Sequence, residues 1–250
     1  MDDKDWIAGA AKALAIIEAF DEEHARMTPT MVAGRAALSR TAARRYLLTL
    51  HELGYVDTDG KLFWLAPRVL RLGQSYLDSA RLPRTVQPFL QRITGVVQES
   101  ALVAILDEDD VVYVARNGVN RATAVGFVLG SRVPAPLSSA GLVLLAARAP
   151  EEIEQWLASY QIKVFTPYTY ASIDQLRDVL KDARRNGYVV TDQQLELGMR
   201  GVAVPLRDRH GNIVASISVS MSIGQESQNG ALHRVLPVLQ ETASLLRNLV

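Results

Sequence analysis

The spacing of apolar positions predicts the first part of the chain. Along residues 7–20, Leu14, Ile17 and Phe20 recur at helical intervals with Ala10 and Ala13 on the same side, the pattern of an amphipathic helix. Pro29 opens a short second helix reaching about Ala36, since proline suits a first helical turn. A tight turn at Ala37-Leu38 follows, and Ser39 can cap a third helix that runs to about Leu53. Leu47, Leu50 and Leu53 should face the core, with Ala43 behind them. Gly54 ends this helix, and residues 55–65 read as a strand, an Asp59-Gly60 turn and a second strand. In that order the elements predict a winged helix-turn-helix, with residues 7–20 as its third leg. Pro67 starts a connecting helix to about Ala80, with Leu70 and Leu77 as core candidates. Leu82-Pro83 should mark a boundary, because proline disfavours helix at the residue before it.

Beyond that point the pattern changes. Residues 86–99, 140–148, 151–160, 173–186 and 232–249 read as helices, the fourth ending at Gly187. Residues 100–106 and 111–116 read as a hairpin through Asp107-Glu108-Asp109-Asp110, and residues 122–129 as a further strand. Residues 188–191, 201–207 and 213–221 are also strand-like, the last two around a turn at His210-Gly211-Asn212. Such interleaving predicts an α+β sensor domain, an antiparallel sheet with helices on its faces. The expected division is a DNA-binding domain with its linker helix over residues 1–80, and a ligand-binding domain over 81–250. Neither repeats nor low-complexity segments interrupt it.

Composition narrows the function. The chain has 250 residues, is 48% hydrophobic and 22% charged, and carries zero formal net charge, as a globular protein with a core does. The charge is uneven: from His24 to Arg71 there are eight Lys and Arg against three acids. That local excess of five is what phosphates would sense. The absence of cysteine removes disulfides, thiolate nucleophiles and cysteine–zinc sites. No apolar stretch reaches about 18 residues, and the acidic start is unlike a secretion signal, so a cytoplasmic protein without a membrane partner is expected. The four histidines, His24, His51, His210 and His233, show no local metal-ligand spacing. No nucleophile elbow, P-loop or dinucleotide fingerprint is present. Catalytic residues, metal and cofactor are therefore not expected, and the acidic run at 107–110 reads as a hairpin turn.

The candidate chemistry lies in two places. Arg40, Thr41, Arg44 and Arg45 fall near the start of the third helix, largely away from its leucines. A recognition helix enters the major groove with that end, and arginine can pair guanine in bidentate fashion. Ser39 places helix-start amides beside a phosphate. Thr28 and Lys61, at the start of the preceding helix and on the wing, complete the DNA-facing set. Solvated surface arginines are the plain alternative, weakened by the ordered elements around them. In the second domain, Ser138-Ser139 precedes an apolar helix, where helix-start amides favour a carboxylate. Ser218 and Ser220 alternate with Ile217 and Val219, so their hydroxyls share a strand face. An ordinary helix cap beside a serine-bearing sheet face would look the same. Arg116 suits either an acidic ligand or a structural ion pair.

The chain resembles the IclR type of bacterial transcriptional regulator over nearly its whole length. The likeness rests on L-S-R-T-A-A-R-R-Y-L-L-T-L-H-E-L-G-Y-V at 38–56, Y-V-A-R at 113–116, and G-S-R-V-P-A-P-L-S-S-A-G-L-V-L-L-A at 130–146. It continues through N-G-Y at 186–188, D-x-x-x-E-x-G-x-R-G-V-A-V-P at 192–205, and D-R-H-G-N-I-V-A-S-I-S-V-S at 208–220. The A-A-R-R-Y-L-L-T-L form is similar to the branch regulating aromatic-acid catabolism, the Pca/Pob regulators of the protocatechuate and β-ketoadipate pathway. The resemblance implies a GAF-like effector domain, dimers and often tetramers, and double-stranded promoter DNA as partner. It implies an effector pocket at Ser139, Ala140, Asp192, Gly201, Ser218 and Ser220, for a small carboxylate such as protocatechuate, 4-hydroxybenzoate or β-ketoadipate. Two positions depart from the family pattern. Gly201 stands where cysteine or serine is common, which should remove a polar group and add room. Leu142 stands where lysine or arginine is common. The implied mechanism pairs two chains through their N-terminal domains and changes DNA affinity or polymerase recruitment when the effector binds. A coupling of about 1–3 kcal/mol would suffice.

Overall fold

The computed structural model describes residues 5–118 and 127–250. The chain divides into two compact units, Met1–Asp78 and Ser79–Val250.

The first unit packs α1 (Ala8–Glu18), α2 (Pro29–Arg35) and α3 (Arg40–Glu52) with a hairpin of β1 (Val56–Thr58) and β2 (Phe63–Leu65). Its core holds Ile16, Met27, Val32, Ala43, Leu47, Leu50, Val56 and Phe63. The turn between α2 and α3 puts Ala37 in the left-handed region at φ 51°. Two expectations shift. Leu53 is 51% exposed: at 3.6 residues per turn it stands about 120° around the helix from Leu47, and it is the C-cap. Strict three-residue spacing drifts around a helix in the same way in α1, where Ile16 is buried and Leu14 exposed.

A single 3-10 turn at Pro67–Val69 leads into α4 (Leu70–Ser79), which buries none of its residues. Leu70, expected in the core, is 76% exposed. The predicted break at Leu82-Pro83 falls instead at Ala80, whose backbone is extended, and α5 (Arg81–Val97) starts immediately after it. Pro83 costs little there, because amides of a first helical turn have no intrahelical acceptor.

In the second unit, six strands among the described residues form one antiparallel sheet. They are β3 (Ser100–Asp107), β4 (Asp110–Asn117), β5 (Arg132–Pro134), β6 (Val189–Asp192), β7 (Met199–Arg207) and β8 (Ile213–Ser222), in the order β5-β4-β3-β8-β7-β6. Two hairpins, β3–β4 and β7–β8, meet through β3 and β8. In the turn of the second hairpin, Asp208 Oδ1 accepts from the His210 and Asn212 amides at 2.8 and 2.9 Å. Part of the expected strand at 122–129 lies outside the described residues, and Phe127–Leu129 carry no strand. The short strand at Arg132–Pro134 was not anticipated.

Period-two alternation sorts side chains onto the two faces. Val103, Val202, Val204, Ile217 and Val219 pack against α5 and α9 (Gln228–Leu246). Leu102, Ala104 and Ala203 face the opposite way, into a core with α6 (Ser139–Leu145), α7 (Pro150–Ser159) and α8 (Ile173–Asn186). Ser172 caps α8 by accepting from the Gln175 amide at 3.2 Å, and Gly187 closes it at φ 71°. The acidic turn at 107–110 is structural: Arg132 pairs with Asp107 and Asp110, and the Trp156 indole donates to Asp109 at 2.6 Å.

Candidate functional site

The first unit presents α3 as an exposed basic helix. Ser39 Oγ accepts from the Ala42 amide at 3.2 Å and Thr28 Oγ1 from the Met31 amide at 3.4 Å, so the two hydroxyls cap α3 and α2. Each keeps its hydroxyl hydrogen for an outside acceptor such as a phosphate. Arg40, Thr41, Arg44 and Arg45 are all exposed. In this unit the Asp21 carboxylate is paired instead with His24 and Arg35. Among the described residues, no carboxylate competes with DNA for the three arginines of α3.

The wing is held by its own tip. Asp59 Oδ1 accepts from the Lys61 and Leu62 amides at 2.9 and 2.7 Å, and these bonds hold its carboxyl below the usual carboxylate range. Gly60 takes φ 92°, and the Lys61 side chain is exposed beside it. Sequence reasoning missed Arg26, whose guanidinium lies 4.1 Å from the Trp64 ring centroid, and Arg68, 5.5 Å from that of Tyr55. Those contacts join residues distant in sequence and carry no local motif.

The second unit holds a narrow cleft between the start of α6 and the β6–β7–β8 end of the sheet, partly open to solvent. Ser139, Gly201, Ser218 and Ser220 line it. Gly201 pairs with Thr191 on one side and Ser220 on the other, so the three sit in one row across the sheet. Ser139, Thr191, Ser218 and Ser220 are each more than nine-tenths buried. Their hydroxyls meet no hydrogen-bond partner among the described residues, and they are not sealed from the cleft. Tyr113 and Phe127 stack at 4.8 Å between centroids, tilted by 8°, to give the cleft an aromatic wall. Burial pushes the Tyr113 phenol up, so it stays neutral beside Ser138.

Two expected pocket residues do not line this cleft. Ala140 is fully buried in the hydrophobic core, turned inward by one helical step from Ser139. Asp192 follows Thr191 on a strand, so it points to the other side. Its carboxylate accepts from Arg200 Nε at 3.3 Å and Nη2 at 3.0 Å, while Arg200 Nη1 donates to the Glu226 carbonyl at 2.9 Å. Gly201 adds no free room either. A Cβ there would lie 2.6 Å from Ser139 Oγ and 2.9 Å from Thr191 Oγ1, so those hydroxyls already fill the space. Arg116 does not line the cleft, and its Nε is buried without a partner among the described residues. Thr191 was the residue missed, and alternation along β6 opposite Gly201 was the signal that could have found it. No group of His, Asp and Glu among the described residues is placed to hold a metal, and none of their helices is long and apolar enough to cross a membrane.

Comparison with known proteins bears on both surfaces. Residues 9–60 match the IclR helix-turn-helix domain, and residues 74–247 match the bacterial transcriptional regulator IclR C-terminal domain. The chain is 40% identical to the p-hydroxybenzoate hydroxylase transcriptional activator of Acinetobacter baylyi, over 99% of this chain and 93% of that one. It is 37% identical to the Pca regulon regulatory protein of Pseudomonas putida, over 95% and 82%. A crystal structure of an IclR homologue from Microbacterium hydrocarbonoxydans complexed with 4-hydroxybenzoate superposes with a TM-score of 0.77, at 26% identity over 96% and 97% of the two chains. These relatives are regulators rather than enzymes. The capped basic helix and its wing fall within or beside the first matched domain and the hydroxyl-lined cleft within the second, and this chain is a member of the IclR family of DNA-binding bacterial transcriptional regulators.

Proposed function

We propose that the cleft of the second unit binds a small aromatic carboxylate, 4-hydroxybenzoate or protocatechuate first among them, and that binding changes how α3 holds promoter DNA. The observation that carries this reading is the set of hydroxyls at Ser139, Thr191, Ser218 and Ser220, which bond to no protein group among the described residues and open onto one cleft. A hydrogen bond from such a hydroxyl to a charged acceptor contributes about 1.5–3 kcal/mol. A carboxylate offers roughly four acceptor positions to such donors. The Tyr113–Phe127 wall suits a ring, and the relatives named for hydroxybenzoate and Pca regulation support the same class. β-Ketoadipate fits less well: it has no ring for that wall, and its second carboxylate would meet Glu196 at the cleft.

On the DNA side, Arg40, Thr41, Arg44 and Arg45 would read base edges, with Thr28, Ser39 and Lys61 on the backbone. A homodimer or tetramer would set two α3 helices about one helical turn of DNA apart.

The cleft half is tested by thermal unfolding of the full chain with and without each acid. At 100 times its dissociation constant a ligand adds about 2.7 kcal/mol, so the transition of the second unit should rise by about 5–10 °C. The transition of the first unit should stay in place. Unchanged melting with both acids at millimolar concentration would contradict the reading.

A further inference from the structure

We infer that Gly201 and Thr191 act together as specificity residues: the missing Cβ at 201 lets the Thr191 and Ser139 hydroxyls converge on the cleft floor, where both donate to the carboxylate of the effector. The inference rests on the aromatic-carboxylate reading and assigns the polar end of the ligand within it.

The geometry is tight. Thr191 Oγ1 and Ser139 Oγ lie 2.9 and 2.6 Å from the point a Cβ on Gly201 would occupy, so no more than about 5.5 Å separates them. That is a span one carboxylate can bridge, since each hydrogen bond reaches about 2.7 Å. Any side chain at 201 would push both hydroxyls apart or rotate them away. The residue at 201 therefore sets what the floor can bind without touching the ligand, and Thr191 makes the contact.

The direction of the ligand follows from charge. Ser220 shares the sheet row with Gly201 and Thr191, so three hydroxyls surround the glycine. All can donate, as a carboxylate requires and a phenol does not. Glu196 borders the same cleft and is exposed. Repulsion between like charges turns the acid group away from Glu196 and toward the hydroxyls, and leaves the opposite end of the ring facing outward.

Nothing in the fold uses the Thr191 hydroxyl. It is buried, it bonds to no protein group among the described residues, and its neighbour Asp192 carries the structural pairing with Arg200. Thr191→Val keeps the shape and removes only that hydroxyl. Its melting temperature without ligand should hold, because the hydroxyl lost faces the cleft and bonds to no protein group among the described residues. A hydroxyl with a structural role would instead lower it.

The test is calorimetric titration of the full chain with 4-hydroxybenzoate and with benzoate. Thr191→Val should weaken both acids by about tenfold or more, as expected for a bond to a charged acceptor. Thr191→Ser should restore most of the affinity, and Gly201→Ala should lose it through crowding. Should Gly201→Ala fail to fold, Thr191→Val and its serine rescue decide the matter. Wild-type affinity of Thr191→Val for both acids would overturn the inference and leave the effector class standing. Loss of 4-hydroxybenzoate affinity with benzoate unchanged would also overturn it, by placing the phenol on Thr191. A wild-type chain that binds neither these acids nor protocatechuate would overturn the effector class and this inference with it.

Discussion

Gly141→Ala should disrupt the second unit more than a methyl group at any other of its described glycines. A Cβ at 141 would lie 2.1 Å from the Ala135 carbonyl oxygen and 2.4 Å from its Cα. Those are backbone atoms of the 3-10 turn at Ala135–Leu137, itself buried, so no flexible side chain can yield. Relief would require α6 to lift off that turn. Doing so would strain the Gly141 amide bond to Ser138 Oγ, now 3.0 Å. It would also carry Ser139 away from Gly201. Overpacking usually costs about 1–3 kcal/mol. A clash with rigid backbone belongs at or above the top of that range. In scanning calorimetry of the full chain, the transition of the second unit should fall by at least about 6 °C and its response to aromatic acids should vanish. The first unit, compact by itself, should melt as before. An unchanged thermogram would mean that the close packing of α6 on the turn is not real.

The second large effect is on DNA. Replacing Arg40, Arg44 and Arg45 together with alanine should lower affinity for the cognate promoter by about a thousandfold or more, since each good arginine–guanine pair contributes about 1–3 kcal/mol. Folding should change little, because all three side chains are exposed and pair with no acid among the described residues. Single replacements separate their roles. If Arg44 reads a base, Arg44→Ala relaxes sequence preference at one position. If it neutralises a phosphate, affinity falls evenly across sequences and the salt slope drops by about one. Promoter affinity of the triple variant equal to wild type would remove α3 as the reading element.

The parts of this molecule that follow local rules were legible in the sequence. Ser39 caps α3, and Ala43, Leu47 and Leu50 form its buried stripe. The alternation in β8 put Ser218 and Ser220 on one face, and that face lines the cleft. Leu53 and Leu70 were misplaced because spacing alone does not say where a helix ends or whether it is covered. The cleft was harder. Asp192 stands in the matching motif, yet its partner is Arg200, eight residues on, and only the β6–β7 register shows that pairing. Gly201 looked like an added space. Its meaning depends on Ser139, which is brought to it by tertiary packing of α6. Thr191 carried no motif and became visible only as the cross-strand neighbour of that glycine.

The proposed coupling between an acid-binding cleft and a DNA-reading helix is tested directly by one titration. Labelled DNA from upstream of this protein's own gene would be titrated with the full chain by fluorescence anisotropy, at fixed salt, with and without saturating 4-hydroxybenzoate or protocatechuate. Specific, salt-sensitive binding is expected, with a dissociation constant that shifts with the acid by about 5–150-fold. In Thr191→Val that shift should require about ten times more acid. Specific binding that neither acid alters at saturation would contradict the coupling between cleft and helix.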